Sequence, residues 1–419
     1  MGGTAGRRGR TMDGFSLPTL GLILLVASLV AMISRRARMP YSVGLVAAGI
    51  ALALLPTGAQ PALSRELIFN IFLPPLVFEA ALQLHWRRFR TELPLTLTLA
   101  FLGVPVAAAA VAAGMHFVAG WSWIGAALFG VLIAATDPVS VIAAFKEMKV
   151  QPRLAMVVES ESLLNDGAAA VGFGVLAAIA VGAASGPGAV AVSFLWTVLG
   201  GILAGGLVAG AVLLIAGRTE DHLVEITLTT IAAYGSFLLA EHFHTSGVLA
   251  SLAAGLIVGN IGWMGSISDS GRGPVLAFWE YAAFLANSVV FILIGIHEAQ
   301  QPIGLFSGTA ALAIGLVLLG RLIAVYPLSA LFAPTRLKLS APYQHVLFWG
   351  GLRGALALAL ALALPDAVPE RREIIVIAFA VVAFSIFVQG LTMPWLLRRL
   401  RVTADSGDKE GGASAGQAG

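Results

Sequence analysis

Residues 154–184 read LAMVVESESLLNDGAAAVGFGVLAAIAVGAA, a run in which Glu159, Glu161 and Asp166 interrupt an otherwise apolar chain. A membrane helix needs about 20 mostly apolar residues, and this run exceeds that length. Even insertion scales charge roughly 2.5–3.5 kcal/mol for an Asp at the centre of such a helix. Something must offset that cost: protonation, an ion pair or a bound cation. The rest of the chain is material of the same kind. Of its 419 residues 58% are hydrophobic and 11% charged, against about 25% charged in soluble domains, which rules out a water-soluble globular fold. Disorder is excluded as well, because disordered chains are charge-rich and poor in apolar residues. The 48 glycines suit close packing between membrane helices. With no cysteine in the chain, disulfides, thiol nucleophiles and Cys-based metal sites are impossible.

Outward from that run, thirteen apolar stretches predict thirteen spans, at 15–33, 41–56, 66–84, 94–118, 121–145, 154–184, 188–216, 222–243, 247–264, 274–297, 303–332, 343–364 and 374–397. The stretches are continuous, unlike the alternation over about ten residues in barrel strands, so an all-α polytopic fold is expected. Lys and Arg collect in cytoplasmic loops. With the N-terminus outside and the C-terminus inside, 17 of the 25 basic residues fall on the cytoplasmic side and 6 outside. That bias favours this orientation and an odd number of spans. The first stretch follows Arg7, Arg8 and Arg10 but runs into Arg35 and Arg36 rather than a small-residue cleavage site, so it reads as a span and not a signal peptide. Residues 1–14 read as an external tail, with Met12 as an alternative start. Residues 402–419, rich in Gly, Ala, Ser and charge, read as a disordered cytoplasmic tail.

The two remaining basic residues, Arg321 and Arg353, lie inside apolar spans. Arg stays charged in proteins, so each needs a partner, and each is open to a purely structural or a functional reading. Glu225, Glu241 and Glu280 near span ends read as snorkelled or interfacial, as do His85, His242, His244, His297 and His345. Asp137, Glu161 and Asp166 sit well inside two consecutive spans, where such a reading is hard to sustain. At 100° per residue Ser162 and Asp166 share a helix face, and Glu159 lies on it two turns away. That stripe offers carboxylate and hydroxyl oxygen, the ligands hard cations want. Glu161 and Asn165 form the neighbouring stripe, aimed at something else, such as one of the two arginines. The fifth span carries Thr136-Asp137-Pro138 and the twelfth Gly350-Gly351-Leu352-Arg353-Gly354. Pro removes a backbone donor and Gly permits unwinding. Backbone freed at membrane depth is tolerated only where it lines protein or a cavity. Seven spans separate the two interruptions, an odd shift that reverses orientation. Spans 1–6 and 8–13 therefore read as inverted repeats around a linking seventh, with no residue-level similarity between them, and matched interruptions point to a transporter's midplane site.

Four segments in order resemble the signatures of the sodium/proton exchangers, in the prokaryotic branch of the first monovalent cation:proton antiporter family. They are Phe72-Leu73-Pro74-Pro75-Leu76-Val77-Phe78-Glu79-Ala80-Ala81, Thr136-Asp137-Pro138-Val139-Ser140-Val141, Glu159-Ser160-Glu161-Ser162-Leu163-Leu164-Asn165-Asp166 and Gly350-Gly351-Leu352-Arg353-Gly354-Ala355. The resemblance covers nearly all spans and leaves out the tails. It implies thirteen helices over residues 15–401, with two crossed broken helices at spans 5 and 12. It also implies a homodimer, with a moving core around spans 4–6 and 11–13 and a dimerisation domain around spans 1–3 and 7–10. By the same resemblance Asp166 alternately binds cation and proton, and Ser162, Thr136 and Asp137 supply further oxygens. Glu161, an added oxygen donor, pairs with Arg321, while Arg353 serves structure and pH response. Ser160 stands where the family usually has Gly.

Together these readings predict a plasma-membrane exchanger of Na⁺ (or Li⁺) for H⁺, with no cofactor and no nucleic-acid partner. One carboxylate that carries either a proton or a monovalent cation moves the same charge both ways, and Asn165 cannot titrate, so exchange should be electroneutral. The alternative is K⁺/H⁺ exchange on the same fold. A cation channel is disfavoured because no carbonyl filter or charged ring is visible. An enzyme is disfavoured because no nucleophile–base pair with a His appears.

Overall fold

The computed structural model describes residues 17–37, 39–54, 65–182, 186–300 and 308–402. Apart from Val402, both expected tails lie outside these residues, as does the start of the eleventh stretch. Every regular element among the described residues is helical. In chain order they are α1 (Leu17–Ala37), α2 (Tyr41–Ala53), α3 (65–83), α4 (Trp86–Ala119), α5a (Trp123–Leu132) and α5b (Val139–Met148). There follow α6 (Pro152–Ala180), α7 (Pro187–Ala216), α8 (His222–His242), α9 (Gly247–Asn260), α10 (Asp269–Gln300) and α11 (Gly308–Ala330). The chain closes with α12a (Ala341–Trp349), α12b (Ala355–Leu362) and α13 (Arg371–Leu400). Seven of these, α4, α6, α7, α8, α10, α11 and α13, are long and apolar enough to cross a membrane. The remainder include shorter apolar helices such as Tyr41–Ala53 and Gly247–Asn260.

Several boundaries differ from the apolar stretches, for one reason. Apolarity marks contact with hydrocarbon, whereas a helix continues as long as its backbone bonds do. Thus α4 begins at Trp86 rather than at 94, its first turns carrying Arg87, Arg88, Arg90 and a buried Glu92 that pairs with Arg153 at 2.8 Å. The helix α10 likewise extends beyond 274–297 at both ends. Wide π turns at Ile68–Phe72, Ile231–Gly235 and Ser385–Gly390 interrupt α3, α8 and α13. No composition signal announces them.

Small residues set the packing. Where α2 meets α10, Gly49 and Gly295 let the backbones touch: a Cβ on Gly49 would come within 2.2 Å of Ile292 O, and one on Gly295 within 2.2 Å of Val46 O. Around this contact α9 packs on α3 and α7, and α8 on α9 and α10. On the other side α4 packs on α11, α5a and α6, while α13 touches α11, α12b and α5a. The helix α6 faces both groups, touching α3, α7 and α9 as well as α4 and α5a.

Glu225 departs from the interfacial reading. It is fully buried near the start of α8, and its Oε1 accepts the Ser268 amide at 2.8 Å on the approach to α10. A carboxylate near a helix end thus serves as a buried anchor between two helices.

Candidate ion-binding site

The fifth and twelfth predicted spans are each two half-helices joined by unwound chain, at 133–138 and 350–354. Pro138 does not kink a continuous helix as a mid-span proline would. It occupies the N-cap of α5b, where its missing N–H costs nothing. Chain before a proline is pushed out of the helical region, so the break falls on its N-terminal side. Asp137 then accepts the Val139 amide on its own Oδ1 at 2.9 Å, capping the new half-helix. The two unwound segments meet directly, the Asp137 amide donating to Leu352 O at 2.7 Å. Gly354 makes that meeting possible, because a Cβ there would lie 2.1 Å from Asp137 Oδ2.

A cavity of about 520 Å³ ends at this junction. Its wall includes Thr136, Asp137 and Gly354 from the unwound segments and Glu159, Leu163 and Asp166 from one stripe of α6. Of the stripe expected from helix geometry, Glu159 and Asp166 reach the wall, with Leu163 rather than Ser162 between them. Asp166 Oδ1 is buried and has no hydrogen-bond partner. A carboxylate on the cavity wall with one buried oxygen free of partners, beside backbone freed from helical bonding, is a donor set suited to a hard monovalent cation or a proton.

The second stripe of α6 points the other way. Glu161 forms a two-pronged pair with Arg321, Nη1 to Oε1 at 2.5 Å and Nη2 to Oε2 at 3.1 Å, and Arg321 Nη2 also donates to Leu347 O at 2.9 Å. That guanidinium ties α6 to α11 and α12a. Asn165 donates to Glu161 Oε1 at 2.6 Å and to Thr136 Oγ1 at 3.3 Å. Ser162 donates to Thr136 O, and its hydroxyl lies 3.0 Å from Thr136 Oγ1. Of the expected oxygen donors, then, the structure brings Asp166, Thr136 and Asp137 to the cavity wall. Ser162 sits one layer behind, engaged with Thr136, and Glu161 faces Arg321. Arg353 is buried near the same cluster and donates from Nη1 to Gly351 O at 2.7 Å. Ser160 is fully buried and its hydroxyl has no partner.

Sequence reasoning passed over several residues. Glu79 and Glu280 line the same cavity, as do Lys146 and Lys149. Glu280 is therefore a wall residue as well as a near-end one. Ser385 contacts the second unwound segment at Arg353, and Gln389 the end of α12a at Trp349. Their signal was available: they are the polar positions in the middle of a long apolar run. No group of three or more His, Cys, Asp or Glu suited to a transition metal occurs among the described residues.

Residues 22–399 match the family described as "Sodium/hydrogen exchanger, transmembrane". The chain belongs to the sodium/hydrogen exchanger family. It is 38% identical over 396 residues to the low-affinity Na⁺/H⁺ antiporter NhaS1 of Synechocystis, covering 93% of this chain and 75% of that protein. It is 36% identical to the Na⁺/H⁺ antiporter ApNhaP of Aphanothece halophytica, again over 93% of this chain and 75% of the relative. Its fold is that of the sodium proton antiporter MjNhaP1 of Methanocaldococcus jannaschii, with a TM-score of 0.74 at 20% identity over 92% of this chain and 98% of the other. Membership in this exchanger family makes the protein a multi-pass membrane transporter and not an enzyme.

Proposed function

We propose that the protein exchanges Na⁺ (or Li⁺) for H⁺, one for one, with the two competing for Asp166. The observation that carries this reading is the contrast within α6. Glu161 has its charge matched by Arg321, whereas Asp166 lines the cavity and its buried Oδ1 has no hydrogen-bond partner. Of these two α6 carboxylates, only Asp166 is then free to change its load. A bare carboxylate is costly to carry across a low-dielectric barrier, so the site crosses loaded with a cation or a proton, which couples the two fluxes. Either load leaves the same net charge, and exchange is electroneutral. Thr136 and Asp137 complete the oxygen shell from the crossed segments, with Ser162 holding Thr136 in place. Asn165 orients Glu161 and Thr136 without titrating.

In this reading α4–α6 and α11–α13 form a core that rocks against a scaffold of α1–α3 and α7–α10, and two copies join through the scaffold. The matched interruptions of α5 and α12 support inverted repeats. The charge bias supports an N-terminus outside the plasma membrane and Lys146 and Lys149 in the cytoplasm, with the cavity opening inward. The relatives' names carry Na⁺, which disfavours the K⁺ alternative.

The test is transport in sealed vesicles with an imposed proton gradient and a lumenal pH dye. Collapse of the gradient by Na⁺ or Li⁺ but not choline, unaffected by a potential clamp and absent in Asp166→Asn, is expected. Collapse by K⁺ alone would give the alternative cation. No collapse by any cation in folded protein, across a range of pH, would overturn the reading.

A further inference from the structure

The unwound segment at 350–354 needs partners for its backbone, because an unsatisfied peptide group at membrane depth is expensive. Following those partners leads outside the described site. Leu347 O takes Arg321, Gly351 O takes Arg353, and Leu352 O takes the Asp137 amide. Three of the groups flanking these are held from α13. Ser385 Oγ accepts the Arg353 amide at 3.0 Å, and lies 3.2 Å from Arg353 O and 2.9 Å from Val382 O as possible acceptors of its own proton. Gln389 donates from Nε2 to Trp349 O at 3.1 Å. Both side chains are buried, at 1% and 4% exposure. Both belong to the π turn Ser385–Gly390, the one irregular stretch of α13. Such turns frequently sit at functional positions, because the wider turn re-aims side chains.

The geometry points to Ser385 and Gln389 as positioning residues for the exchange reaction. Gln389 fixes the end of α12a and Ser385 fixes Arg353, so the intervening Leu352 carbonyl is held from both sides. That carbonyl fixes the Asp137 amide, and with it the neighbouring Thr136 at the wall beside Asp166. The π turn is thus the outer clamp on the crossed segments, two steps removed from the ion. This inference rests on the exchange reading, and it adds the residues that set the site's oxygen spacing from the far side of the unwound chain.

The test compares Ser385→Ala, Ser385→Thr and Gln389→Leu with wild type in vesicles. Apparent KM for Na⁺ and the Li⁺/Na⁺ rate ratio are read on the folded fraction. Threonine keeps the oxygen and can bond the preceding turn as serine does. Ser385→Ala and Gln389→Leu should each raise the KM for Na⁺ and alter the Li⁺/Na⁺ ratio. The shift should be on the order of threefold to tenfold, the effect of one ordinary hydrogen bond. Ser385→Thr should restore both values. A merely structural role would lower the yield of folded protein and leave KM and the ion ratio unchanged. That result, an equal defect in Ser385→Thr, or failure of both other variants to fold would overturn the inference. A wild type without Na⁺/H⁺ exchange would overturn the underlying reading instead, and the clamp's role with it.

Discussion

Asp166 and Glu161 are five residues apart on one helix and have opposite fates. Glu161 is locked to Arg321 with both prongs, each side chain nearly out of solvent. Breaking a buried pair from one side leaves an uncompensated charge and costs about 3–5 kcal/mol. Glu161→Ala is therefore expected to lower the melting temperature sharply and reduce the folded yield, as a thermal-shift assay on purified protein would record. Asp166 Oδ1 has no hydrogen-bond partner to lose, so Asp166→Asn should leave the melting temperature close to wild type while abolishing exchange. The pH dependence has a fixed sign. Protons and Na⁺ seek the same carboxylate, so the KM for Na⁺ rises as pH falls, approaching about tenfold per unit once Asp166 is mostly protonated. It flattens at high pH. A KM independent of pH across the active range would contradict competition. At this scale the sequence was informative because charge in an apolar run is rare. It could not say that Ser162 turns its hydroxyl to Thr136, since side-chain partners depend on which backbone comes opposite.

The elements that build the site are the two broken helices, and their contact is sterically tight. Gly354→Ala would drive a Cβ into Asp137, 2.1 Å from Oδ2. It should reduce exchange by at least an order of magnitude in vesicles, whereas alanine at Gly315, which meets nothing within 4 Å, should be tolerated. Equal activity in the two variants would show that the crossing does not set the site. The interruptions were legible from Pro138 and the glycines of 350–354, because these residues act locally. Where the break falls was less so: Pro138 starts α5b and the chain unwinds before it. The π turns were not legible. An extra residue in a helical turn is fixed by what packs against it, and Arg353, whose backbone Ser385 holds, lies more than thirty residues away in the chain. Glu225 misled for a related reason, since its burial depends on the approach to α10 covering it.

For the whole molecule the helical architecture was legible from apolar length alone, and the pairing of helices was not. Contacts such as Gly49 with Gly295 join residues far apart in sequence with no local mark. The cavity is the property that belongs to this scale, because α3, α5, α6, α10 and α12 all contribute walls. The absence of native cysteine makes its orientation measurable without background. Ala143→Cys, at an exposed wall position, should react with a membrane-impermeant thiol reagent from the cytoplasmic side and be spared from outside. Labelling from outside alone would reverse the proposed orientation.

The proposed exchange requires that a cation and a proton displace one another at Asp166. Proton release on Na⁺ binding tests it most directly, measured with a pH dye on purified protein in weak buffer, without any transport step. Release of up to one proton per Na⁺ bound is expected at a pH where Asp166 is protonated, and none from Asp166→Asn. Na⁺ binding without proton release across the pH range of activity, or undiminished release from Asp166→Asn, would contradict it.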